Sequence, residues 1–294
     1  MIRPTVDVRC VDDPDARIFA VHAWSYLDRD PVGNNVLCTS VEAACAEDRP
    51  DWRWIRVLLD GELVGVAMRT PPRGPLLSGL PEPAARALAA HFAGTDVVLP
   101  AVGGPEAAAT AFADHYAGLV GAQPRRGSAM RLLRLDRVAA PTGVPGHSRP
   151  ATPADRGRIG AWLDAFSAEA LPAEVRGERA EQEAALDRRF AHGDLMWFWE
   201  VAGTPVSFAW RTPLAAPGRW PRTSVVRVSA VYTPPEQRGH GYASANVAAV
   251  SQRGLDAGAS ACMLYTDAGN PTSNRIYQQI GYRLVGTAQE WRFT

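Results

Sequence analysis

The stretch "VYTPPEQRGHGYAS", residues 231–244, decides how this chain is read. A β-branched and aromatic run ending in Val231, Tyr232 and Thr233 stops at Pro234 and Pro235, which cannot donate to a sheet ladder. Gly239 and Gly241 follow one residue apart. They permit positive φ and leave no side chain between the backbone and a ligand. Tyr242, Ala243 and Ser244 lie in the first turns of a helix predicted over 239–256, where Ala243, Ser244 and Ala245 keep the chain slim enough for a bulky anion to approach. In such a loop successive amides point into one cavity at a helix N-terminus, which binds phosphate oxygens through N–H groups and dipole together. Gln237, Arg238 and His240 sit at its rim and can add charge or hydrogen bonds. The competing readings are a plain glycine-rich turn and a dinucleotide-binding loop. The latter expects a third glycine, where this chain has Ser244, and an acidic residue after the next strand, where Asp267 is followed closely by Asn270 and Pro271.

The residues around the loop predict a mixed α/β order. Helices are expected over 153–170 and 178–191, a hairpin over 195–211, a strand over 223–232, a strand over 261–266, a helix over 271–280 and final strands after it. Thr152, Pro153 and Asp155 suit the cap, first-turn and third positions of the first helix. Asn270 is a good helix cap, Pro271 a good first helical residue, and Gly281 a natural stop. Asn274 and Tyr277 then share one helix face, with Ile276 and Ile280 on another, apolar one.

The first half repeats this plan. "RVLLDGELVGVAMRTP" (56–71) aligns without gaps on "FWEVAGTPVSFAWRTP" (198–213), pairing Gly61 with Gly203, Val64 with Val206 and Ala67 with Ala209 at a constant offset of 142. Helices at 83–93 and 105–117 and a last strand "AMRLLRL" (129–135) complete it. The Pro- and Gly-rich stretch around 137–157 separates the halves. The expected division is 1–138, a linker at 139–149, and 150–294. Where the second half has its glycine pair, the first has "LSGLPEPAARALAA" (77–90), without one.

Composition excludes several classes of function. Acidic and basic residues balance at 31 each, with no basic block to suit nucleic acid. Every one of those basic residues is arginine, so no lysine nucleophile exists. Cys10, Cys38, Cys45 and Cys262 are scattered, which suggests reduced thiols and neither a disulfide framework nor a metal site. No apolar run reaches the ~20 residues of a membrane span, and the first residues lack the layout of a secretory signal. A cytoplasmic protein with no membrane partner is expected; oligomeric state and acceptor identity are not legible.

The segment Gln237-Arg238-Gly239-His240-Gly241-Tyr242-Ala243 closely resembles the acetyl-CoA signature Q/R-x-x-G-x-G/A of the GCN5-related N-acetyltransferase (GNAT) superfamily. The block "LYTDAGNPTSNRIYQQIGY" (264–282) resembles the second family block, so the resemblance covers roughly the C-terminal half. It implies two tandem GNAT-like domains, the first degenerate, each a mixed sheet flanked by helices. It implies acetyl-CoA as cosubstrate, no metal, and direct transfer to a primary amine of a small molecule or peptide. Tyr277, which the residues alone leave between packing and function, becomes by this resemblance the general acid for the departing thiolate. Asn270 and Asn274 either contact the cofactor or cap the helix. The resemblance puts a backbone donor for the reacting carbonyl near Val231, Tyr232 or Thr233. The strand "RVSAVYT" has no carboxylate where a catalytic Glu often stands; Ser229, Glu200 and Glu290 are conceivable relays. A non-catalytic acyl-CoA sensor or scaffold is the alternative. Aminoacyl transferases of tandem GNAT-like fold are a further one, but they would not need this loop.

Overall fold

Two tight turns 142 residues apart show the repeat in the backbone. Asp60 and Gly61 take φ values of 51° and 84°, and Ala202 and Gly203 take 47° and 78°. Two consecutive residues at positive φ match the twist of a two-residue hairpin, and the glycine makes the second cheap. The computed structural model describes residues 7–47, 49–170, 179–191, 195–214 and 218–294.

The first run is β1 (Val8–Asp13), α1 (Ala16–Leu27), α2 (Asn35–Ala46), β2 (Arg53–Leu59), β3 (Glu62–Arg69), β4 (Pro75–Leu77), α3 (Glu82–Ala93), β5 (Ala101–Pro105), α4 (Glu106–Val120) and β6 (Pro124–Leu135). The second gives the same order: β7 (His147–Pro150), α5 (Arg156–Ala170), α6 (Arg179–Ala191), β8 (Met196–Val201), β9 (Thr204–Arg211), β10 (Val225–Tyr232), α7 (Tyr242–Asp256), β11 (Ala261–Asp267), α8 (Pro271–Ile280) and β12 (Arg283–Phe293). Residues 147–149, expected in the linker, are part of β7.

All twelve strands form one sheet, ordered β1-β2-β3-β4-β5-β12-β6-β11-β10-β9-β8-β7. The order is symmetric about its centre, and the last strand of each run crosses over. β6 pairs antiparallel with β11, from Cys262↔Leu135 to Asp267↔Met130, while β12 pairs with β5. The two crossing strands pair with each other. Neither run can therefore complete its sheet without the other.

Apolar residues on both faces hold the layers. α3 and α4 cover one side of the first run through Leu88, Phe92 and Phe112, packed with Ile55 and Val57. α1 and α2 cover the other through Phe19, Leu27 and Val41 against Trp54 and Val66. In the second run α7 and α8 pack with Val226, Val228 and Leu264, and α5 and α6 with Phe198, Phe208 and Ala230. Among the described residues no helix is long and apolar enough to cross a membrane, and no group of three or more His, Cys, Asp or Glu is placed to hold a metal.

Three expectations change. The helix predicted over 239–256 starts at Tyr242, because Gly239 and Gly241 hold φ values of 83° and 79° and cannot be helical. The final strands are a single strand, β12, whose pairing with β6 shifts register between Leu284 and Gly286 and again between Gln289 and Trp291. The helix from 153 opens as a 3-10 turn over Pro153–Asp155. There the Asp155 carboxylate accepts from the Thr152 amide at 2.8 Å and from its hydroxyl at 3.0 Å. Of the predicted helix 178–191, position 178 lies outside the described residues.

Candidate functional site

β10 and β11 run parallel but pair only from Val225↔Ala261 to Arg227↔Met263. Beyond that point they separate. On its other edge β10 pairs with β9, and the register breaks between Ser229 and Tyr232. Ala230 lies within that break at φ 47°, a left-handed conformation that alanine adopts at a cost of about 1–2 kcal/mol. One extra residue in one strand bends it and disrupts the ladder, which carries the end of β10 away from β11. Ser207 of β9 fixes the bent end, donating from its hydroxyl to the Tyr232 carbonyl at 3.2 Å and accepting from the Thr233 hydroxyl at 3.0 Å.

The loop follows at once. Its first amides are used locally, Gln237 donating to the Pro234 carbonyl at 2.9 Å and Arg238 to Pro235 at 3.3 Å. The next six, from Gly239 to Ser244, donate to no group among the described residues. The first amide of α7 with a partner is that of Ala245, bonded to the Gly241 carbonyl at 3.0 Å. Gly239 to Gly241 are exposed, Ala243 and Ser244 half-buried, and Tyr242 turns its ring inward. A Cβ on Gly241 would meet Val144 Cγ2 at 3.1 Å, so the chain between the two runs closes against the loop. The imidazole of His240 stacks on Tyr242 with centroids 5.2 Å apart. Arg238 is anchored, its Nε donating to the Thr233 carbonyl at 3.0 Å and one Nη to Glu169 of α5.

On α8 the two asparagines have local partners. Asn270 caps the helix, accepting from the Ser273 amide at 3.0 Å. Asn274 donates to the Asp267 carbonyl at 3.2 Å, tying α8 to the end of β11, and its Oδ1 is buried without a partner. Tyr277 is 9% exposed and packs in one cluster with Ile280, Val228 and Val247. The expected separation of its face from the apolar stripe does not hold, because α8 packs against both α7 and β11. Val231 packs against the same cluster, so Tyr277 belongs to the layer under the open end of β10. Its hydroxyl makes no hydrogen bond among the described residues, and burial pushes it up to about 12.

Of the conceivable proton relays, two are engaged elsewhere. Glu200 is bound by Arg149, which also grips Asp155 at 2.8 and 2.9 Å. Glu290 accepts from Arg292 at 2.6 Å. Ser229 is half-buried on β10, and its hydroxyl bonds to nothing among the described residues. Sequence reasoning missed Glu169, and also Arg227, whose guanidinium donates to Asn35 of α2 at 2.6 Å. A cation inside the otherwise apolar "VVRVSAVY" was the available signal for the latter.

A model of the acetyltransferase (GNAT) family matches residues 161–282. Among solved structures, a GNAT-family acetyltransferase from Colwellia psychrerythraea aligns with a TM-score of 0.58 at 8% identity, covering 98% of this chain and 100% of that one. A GCN5-related N-acetyltransferase from Sphaerobacter thermophilus gives 0.60 at 15%, covering 99% and 96%. A Drosophila protein gives 0.65 at 10%, covering 97% and 98%. At such identities the likeness is one of fold. No curated protein matches the chain. Residues 161–282 thus match the acetyltransferase (GNAT) family, and the chain as a whole shares the fold of these structures.

Proposed function

We propose that the protein is an N-acetyltransferase that moves the acetyl group of acetyl-CoA directly to a primary amine of a small molecule or peptide. The observation that carries this reading is the row of unpaired amides from Gly239 to Ser244 at the positive end of α7. Free N–H groups at a helix N-terminus fit a pyrophosphate, and Gly239 leaves the approach open, with nothing within 4 Å of the Cβ position. Acetyl-CoA would supply the acetyl group as a thioester, with the amine nitrogen taking the place of its sulfur.

The chain's own groups have separable tasks in this reading. Amides 239–244 would hold the pyrophosphate, with His240 and Gln237 at the rim. The backbone of Val231 to Thr233, freed from β11, would pair with the extended pantetheine as an added strand does. The amide of Thr233 is without a partner among the described residues and is the donor proposed for the thioester oxygen. Tyr277 would give its proton to the departing sulfur; a hydroxyl held at about 12 by burial is neutral at working pH and has its proton to give. Asn270 and Asn274 would set the position of α8.

The engagement of Glu200 and Glu290 by arginines favours a second reading, a binding protein without turnover. Thiol release in the presence of amine pools separates the two. Acetyl-CoA-dependent release that requires an amine supports the transferase. Binding with no release from any amine supports the sensor or scaffold.

A further inference from the structure

We infer that the amine acceptor carries a carboxylate, held by Arg227 and Arg189 on the face of β10 that meets α2 of the first run, beside the opening between β10 and β11. The inference rests on the transferase reading and deepens it by naming the substrate class.

Arg227 is the last residue of β10 paired with β11. Residues two apart on a strand share a face, so Arg227 and Ser229 point to the same side. Ser229 stands opposite Trp210 of β9, and directly opposed residues also share a face. Over the Trp210 ring lies the guanidinium of Arg189 from α6, at 4.3 Å from the centroid. Two cations are thus set along one face of the sheet, with Ser229 and Trp210 between them. Arg189 is close enough for its charge to act on Arg227.

What the two cations lack is an anion. Arg227 donates to Asn35 Oδ1 at 2.6 Å and to Thr39 Oγ1 at 3.4 Å, both neutral groups from α2 of the first run. Arg189 has the face of Trp210. Among the described residues neither guanidinium forms an ion pair, although both are mostly withdrawn from solvent, and burial lowers the pKa of each. Arginine is rarely buried without an anionic partner. A guanidinium presents a planar fork that matches a carboxylate.

The two cations are also near the opening. Ala230, in the bulge, lies three positions from Arg227, about 10 Å along a strand. A small molecule with a carboxylate at one end and an amine at the other spans a distance of that order. The hydroxyl of Ser229, without a partner among the described residues, lies between the two ends. Asn35 and Thr39 give the first run a direct part in the acceptor site.

The test is thiol release from acetyl-CoA with matched acceptors: the proteinogenic amino acids against their carboxamides, p-aminobenzoate against aniline, and phosphorylated amines as a third arm. The expected result is that acids are turned over and their uncharged partners are poor. Arg189→Met and Arg227→Met should each raise KM for the acid about tenfold or more. kcat and the KM for the uncharged partner should stay near the parent's. Because Arg227→Met also removes the bond to Asn35, Arg189→Met keeps the test open if that variant folds poorly. Equal use of acids and carboxamides, preference for the phosphorylated amines, or variants that lose both substrates alike would overturn the inference. Calorimetric binding of acetyl-CoA to the same samples separates the failures. Retained binding without acid preference sinks only this inference, whereas lost binding in the parent sinks the transferase reading itself.

Discussion

One terminal nitrogen of Arg238 donates to both carboxylate oxygens of Glu169, at 2.8 and 2.7 Å, and thereby ties the phosphate-loop candidate to the C-terminal turn of α5. Both side chains are 48% exposed, so the pair adds at most about 1 kcal/mol to stability. Its consequence is for binding. While Glu169 holds the guanidinium, that charge is partly withheld from a phosphate. Glu169→Gln should tighten acetyl-CoA binding about two- to tenfold at low salt, and Arg238→Ala should weaken it. Titration calorimetry of the two variants reads this directly; unchanged affinity in both would remove Arg238 from the site.

Tyr277 has a packed ring and a hydroxyl without a hydrogen-bond partner among the described residues. Tyr277→Phe should therefore fold with nearly unchanged stability at neutral pH, bind acetyl-CoA as the parent does, and lose turnover by about a hundredfold or more. A pH signature accompanies it. The folded state holds the hydroxyl neutral up to about 12, whereas the unfolded chain ionises it near 10. The parent's stability should fall as pH rises from 10 through 12, and the phenylalanine variant should lose part of that slope. Equal losses of affinity and turnover would assign Tyr277 to packing alone.

Asp155 behaves in the opposite sense. Hydrogen bonds from Arg149 hold its carboxyl well below the ordinary carboxylate range. Its contribution is complete above about pH 4 and is lost as pH falls through the depressed value. Asp155→Asn should cost about 1–3 kcal/mol at pH 7, since it leaves Arg149 with Glu200 alone. Denaturant midpoints at pH 7 and pH 2.5 should show the gap between parent and variant narrowing on acidification. An equal gap at both would contradict the pairing.

The bulge makes a backbone prediction. Ala230→Gly should be tolerated, because glycine holds φ 47° without strain. Ala230→Val should cost about 1–3 kcal/mol and weaken acetyl-CoA binding, because a β-branched residue resists that conformation. Thermal unfolding and calorimetry of the pair check both halves; a valine variant that binds normally would show that the bulge does not set the site.

The loop was legible because its signals are local. Two prolines end a strand and two glycines demand positive φ, whatever the rest of the chain does. The α8 cap was legible for the same reason, in Asn270 and Pro271. The crossing of β6 and β12 was not, since their partners are chosen by packing between residues more than a hundred positions apart. Nor did α1 and α2 stand out: both are rich in alanine, and apolar Ile18 and Val21 of α1 lie on its exposed side, which blurs the helical period. "VSAVY" gives no sign of a bulge at Ala230, and the contact of Arg227 with Asn35 spans 192 residues. The face of Tyr277 was misjudged because α8 is packed on two sides.

The loop from Gly239 to Ser244 is proposed to hold the pyrophosphate of acetyl-CoA, and calorimetric titration of acetyl-CoA into the parent and Gly239→Glu decides whether it does. A side chain at Gly239 meets nothing within 4 Å, so the variant should keep the fold while straining φ 83° and placing a negative charge at the phosphates. One site per chain is expected in the parent and none in the variant. Equal binding by both, or no binding by the parent, would contradict it.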